Sequence, residues 1–75
     1  MYQQDLYIRC PRSAFEANLY RLRIAAESWG LEMEVLHARA FRNPQRLGVR
    51  SKEAIVRLSG TDRNELTEFV AGVHF

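Results

Sequence analysis

Seventy-five residues with a formal net charge of +2 and a pI near 9.1 make one domain at most, read as a single α+β domain over residues 1–75. One cysteine and two histidines exclude an intramolecular disulfide and give no metal-ligand spacing, so a chain with so thin a core has no covalent or metal staple, and self-association is the natural remedy. Ten of the eleven basic residues are arginines, Lys52 being the exception, and nine acids nearly balance them. No apolar run is long enough to span a bilayer, and MYQQDLYIRC lacks the basic start and apolar stretch of a signal peptide. The expected setting is the cytoplasm.

Asp5 to Cys10 alternates, with Leu6, Ile8 and Cys10 on one side and Asp5, Tyr7 and Arg9 on the other. That period predicts a strand, which Pro11 ends. Ser13 to Gly30 is the longest and best-marked helix. Ser13 with Glu16 has the form of a capping box, and Gly30 is placed for a left-handed cap. Phe15, Leu19, Leu22, Ala26 and Trp29 recur at steps of four and three and form the stripe that must be covered. Trp29 is expected to be at least half buried by the sheet.

Leu31 to Arg42 is a second strand. Met33 and Val35 point one way and Glu32 and Glu34 the other, but from Leu36 the apolar set becomes Leu36, Ala38 and Ala40. A bulge near Leu36–His37 reconciles the halves. Asn43 to Ser51, with Pro44 and Gly48, reads as a loop. Glu53 to Ser59 is a third strand, Ala54, Val56 and Leu58 inward, Ile55 and Arg57 outward. Thr61 or Asp62 then caps a second helix whose stripe is Leu66, Phe69, Val70 and Val73, and Gly72 ends it.

The order β-α-β-β-α is a split βαβ unit of the ferredoxin-like kind without its last strand. A right-handed first connection leaves room for the third strand between the first two. The expectation is a three-stranded antiparallel sheet of order 1-3-2 with two helices on one face, and the first strand as an open edge.

Several residues invite chemistry. Cys10-Pro11 resembles the Cys-Pro that opens the first helix of the TusA sulfur-carrier family. That family has a glycine shortly before the cysteine and a second proline after it, whereas this chain has neither, and the parity of Cys10 with Leu6 and Ile8 places it in the core. His37 and His74 are far apart, and Glu32 and Glu34 read as a solvated strand face. No phosphate loop, nucleophile elbow or Ser/His/Asp pattern is present. Neither catalytic residue, metal nor cofactor is expected, and the chain is not read as an enzyme.

The leading expectation is a small non-catalytic protein-interaction or regulatory protein that binds itself, as a homodimer, or a larger protein. The contact would use the open sheet edge and the outward face, through Asp5, Tyr7, Arg9, Ile55 and Arg57. Antiparallel pairing of two first strands about Tyr7 would set Asp5 of one chain opposite Arg9 of the other. The alternative is nucleic-acid binding by the hairpin that carries Arg39, Arg42, Arg46, Arg50 and Lys52, used as RRM-like domains use theirs, beside Tyr7 and Phe41. As a further alternative, Ser59 to Phe69, with its Asp62-Arg63 pair, resembles the strand-to-helix junction of ACT-type regulatory domains; that resemblance implies a small-ligand sensor.

Overall fold

The computed structural model describes the backbone of residues 1–42 and 50–73 and the side chains of 1–39 and 51–73. The chain runs β1 (Tyr2–Pro11), α1 (Arg12–Ser28), β2 (Glu32–Arg42), β3 (Arg50–Gly60) and α2 (Arg63–Ala71). The three strands form one antiparallel sheet in the order β1-β3-β2, as expected from the sequence. The outer bounds shift: β1 begins at Tyr2 and keeps Pro11, β3 begins at Arg50 and continues to Gly60, and β2 starts one residue later than expected, at Glu32. Most of the expected 43–51 loop lies outside the described residues, as do His74 and Phe75.

One parity of the sheet builds the core. Ile8 and Cys10 from β1 and Ala54, Val56 and Leu58 from β3 are buried in a single cluster with Phe15, Leu22 and Ala26 of α1 and Leu66 and Phe69 of α2. Cys10 is thus a buried free cysteine, as its parity predicts. Leu6, Leu19, Met33 and Val35 pack at the margin of that cluster.

The capping box at Ser13 does not form. Pro11, with φ −53° and ψ 140°, occupies the cap position, and no side chain accepts a bond there. Proline is pre-set for a helix entrance, so the helix begins at Arg12 and carries Ser13 into its first turn. Glu16, the other half of the expected box, instead meets Lys52 Nζ at 3.2 Å. The second helix keeps its expected cap: Asp62 accepts from the Asn64 N–H at 2.8 Å and the Glu65 N–H at 3.3 Å. A cap of this kind contributes about 1 kcal/mol.

Gly30 adopts φ 74°, the left-handed conformation that lets the chain leave α1. The Leu31 N–H reaches back to the Ala26 carbonyl at 2.9 Å, and the Leu31 side chain fills the space beside Gly60, where a Cβ would collide with it. Trp29 is more than half covered, at 43% exposed, and its ring meets Phe69 of α2 edge-on at 5.4 Å. It is the cap residue just past the last turn of α1.

The β2–β3 ladder pairs Val35 with Val56 and then His37 with Ile55, so Leu36 is the extra residue of a bulge. That is the position where the hydrophobic phase changes in the sequence. After the bulge Ala38 aligns with buried Ala54, whereas Leu36 stays 40% exposed.

Candidate functional site

Charged side chains that alternate along a strand gather on one face, and the register decides what they meet. The sheet face opposite the core carries Asp5, Tyr7 and Arg9 of β1, Glu53, Ile55 and Arg57 of β3, and Glu34, His37 and Arg39 of β2. The bulge makes this possible on β2. Were β2 a regular strand through Leu36, Glu34 and the pair His37 and Arg39 would stand on opposite faces.

These nine residues form three cross-strand rows. Asp5 faces Arg57, which faces Glu34; Tyr7 faces Ile55, which faces His37; Arg9 faces Glu53, which faces Arg39. The outer rows are therefore acid-base-acid and base-acid-base, with an aromatic and aliphatic row between them. Arg57 holds Asp5 through two bonds, Nε to Oδ1 at 2.8 Å and Nη2 to Oδ2 at 3.3 Å. That fork keeps the Asp5 carboxyl below its ordinary pKa. Arg39 meets Glu53 Oε1 at 3.0 Å, and the Tyr7 hydroxyl donates to Glu53 Oε2. The tyrosine bond and then the Arg39 charge lower the Glu53 pKa, and the same tyrosine bond raises that of Tyr7. Arg9 donates to the Ser51 hydroxyl at 3.4 Å.

All five residues expected to meet a partner, Asp5, Tyr7, Arg9, Ile55 and Arg57, thus come together. Tyr7 is 56% exposed and Ile55 38%, an apolar strip between two charged rows. Sequence reasoning missed Glu34, His37, Arg39 and Glu53 as members of the same surface. Each was visible as an outward residue, but its row is set by pairing across strands.

Of the five basic residues expected on the hairpin, the two with described side chains, Lys52 and Arg39, stand on opposite sides of the sheet. Lys52 has the parity of the core face and stands 4.6 Å over the Phe15 ring while pairing with Glu16, so it lies on the helix side of the sheet. Arg39 stands on the open face. Arg42 and Arg50 face each other at the end of the ladder, their side chains, like that of Phe41, outside the described residues, as is the whole of Arg46.

A shallow groove of about 350 Å³ lies between the helices, with Leu22, Ala25, Trp29, Phe69 and Val73 as its apolar lining. The Asp62-Arg63 junction lies elsewhere, at the start of α2. No group of three or more acidic, histidine or cysteine side chains fit for a metal exists among the described residues. Among the same residues, no helix is long and apolar enough to cross a membrane. The chain matches no family model, and no curated protein matches it.

Proposed function

We propose that this chain is a small protein-interaction or regulatory module that works without catalysis, and that β1 is its docking edge. We also read the β-α-β-β-α order as a ferredoxin-like unit without its fourth strand, the strand that would otherwise lie beside β1. The observation that carries the reading is the state of this edge. β1 is a ten-residue strand paired with β3 in unbroken register from Tyr2 to Pro11, at one margin of the sheet. Its outer N–H and C=O groups are the natural seat for an added strand. Tyr7 and Ile55 extend that seat onto the open face.

Proline tests this directly, because it removes one N–H. Gln4 and Tyr7 are both exposed, and their opposite parity points one N–H toward β3 and the other outward. Gln4→Pro and Tyr7→Pro should therefore differ. One breaks the ladder with β3; the other keeps the fold, seen by circular dichroism and Trp29 emission, and blocks the edge. The folded variant should lose the wild-type association, measured by sedimentation and by capture of a binding protein from the native source. Full association by that variant overturns the reading.

A further inference from the structure

The occupant of the β1 edge follows from the rows on the open face, and this inference rests on the docking role of β1. We propose that the occupant is a second copy of this chain, paired antiparallel with the two-fold axis through Tyr7. The sheet would then run through six strands with four helices on one side.

Register is the argument. Antiparallel pairing of two β1 strands keeps core face with core face only when residues of equal parity oppose each other, so the axis must pass through a residue position. With the axis at Tyr7, Arg9 opposes the partner's Asp5. The row Arg39, Glu53, Arg9 of one protomer then continues as the partner's Asp5, the partner's Arg57 and the partner's Glu34. The signs alternate without a break across all six strands, and symmetry repeats the row on the other side of the axis. Between them lies a row with two Tyr7 rings at its centre, each flanked by Ile55. On the core face the same axis sets Leu6, which is only partly buried, opposite the partner's Ile8. Shifting the axis to Leu6 places Gln3 against Arg9 and Asp5 against Tyr7; shifting it to Ile8 places Asp5 against Pro11. Neither shift opposes unlike charges.

The complementarity joins the base-acid-base row of one protomer to the acid-base-acid row of its partner, and each row is already arranged within its own protomer. Asp5 is held in place by the two Arg57 bonds, and its side chain is 47% exposed, with lone pairs left to accept from a second guanidinium.

A charge-swap pair tests both copy and register. Asp5→Arg sets two guanidinium groups against each other at both symmetry-related contacts of its own dimer, and Arg9→Asp sets two carboxylates against each other there. Each variant alone should self-associate roughly tenfold more weakly than wild type, since like charges directly opposite are destabilising. In the mixed dimer of the two variants both contacts oppose unlike charges again, so an equimolar mixture should associate more tightly than either variant alone; the changes are also combined as Asp5→Arg/Arg9→Asp in one chain. That double variant opposes unlike charges at both contacts, while each substituted side chain faces a like charge, Arg57 or Glu53, within its own protomer; it should associate more tightly than either single variant, read by sedimentation over a concentration series. A double variant as weak as either single one overturns the register. Should a single variant fail to fold, Tyr7→Cys in a Cys10→Ala background replaces it: a cysteine on the axis should cross-link two chains on mild oxidation, whereas Asp5→Cys in the same background should not. Equal cross-linking at both positions, or at neither, overturns the proposal. A wild type that stays monomeric over the full concentration range overturns the second copy alone; the proline variants then still decide whether β1 receives another protein's strand.

Discussion

The two edges of the sheet are built differently. β1 is regular over ten residues, has two buried side chains, Ile8 and Cys10, and keeps one register throughout. β2 is interrupted by the bulge at Leu36, and none of its described side chains is buried; Met33 and Val35 are only partly covered. A bulge twists and unpairs a strand margin, a common protection against edge-to-edge contact. The difference shows where the fold leaves backbone groups in line to be used and where it takes them out of line. The same bulge lets β2 take up Leu36 as an extra residue while His37 and Arg39 stay on the face shared with Glu34.

The largest expected effect comes from erasing that difference. Deleting Leu36 keeps Val35 opposite Val56 and His37 opposite Ile55 while making β2 regular. With an open edge on both sides, the proposed pairing would no longer close at two chains, and light scattering should show species that grow with concentration. An unchanged mass distribution would mean that the bulge does not protect β2.

The edges should also differ in anchoring. Ile8, 2% exposed, seats β1 on the core, and Ile8→Ala should cost about 2–5 kcal/mol, enough to unfold much of a 75-residue domain. Val35→Ala, on partly covered β2, should cost on the order of 1 kcal/mol. Urea midpoints for both variants give the comparison directly, and equal losses would remove it.

A smaller effect should appear in acid. Asp5 and Glu53 have depressed pKa values in the folded protein, so the unfolded chain binds more protons as the pH falls through the carboxylate range. Their contribution is complete above the ordinary carboxylate values and is lost as pH drops through the lower folded ones. Tyr7 works at the other end. Its raised pKa contributes below the ordinary tyrosine value and is lost as pH climbs through the folded one. Urea midpoints should fall as the solution is acidified through the carboxylate range, and Asp5→Asn should flatten that slope. A slope unchanged in Asp5→Asn would detach the Asp5–Arg57 row from stability.

Much of this arrangement is legible in the chain. Strand alternation marks Ile8, Ala54, Val56 and Leu58 as core, and the phase change at Leu36 announces the bulge, because parity is a local property. The rows are not legible in the same way. That Arg57 faces Asp5 and Glu34 together depends on the pairing of three separate strands, and a shift of two residues would keep every parity while changing every partner. Ser13 misled because proline's fixed φ decided the helix entrance before a side-chain bond could. Trp29 continues the spacing of α1 past the point where the helix stops, and its contact with Phe69 of α2 rests on tertiary packing that spacing does not reveal.

The pairing of β1 also sets an order of assembly. β2 and β3 are neighbours in the chain and close from Arg42 and Arg50 outward, whereas β1 must find β3 between positions 2 and 60 at one end and 11 and 51 at the other. Closing the longer loop costs more chain entropy, so the hairpin is the easier nucleus and β1 is seated on it later. During synthesis the strand that emerges first is therefore the one that waits. Until Ala54 and Val56 have been made, Ile8 and Cys10 have no strand to lie against, and the newborn chain carries β1 unpaired.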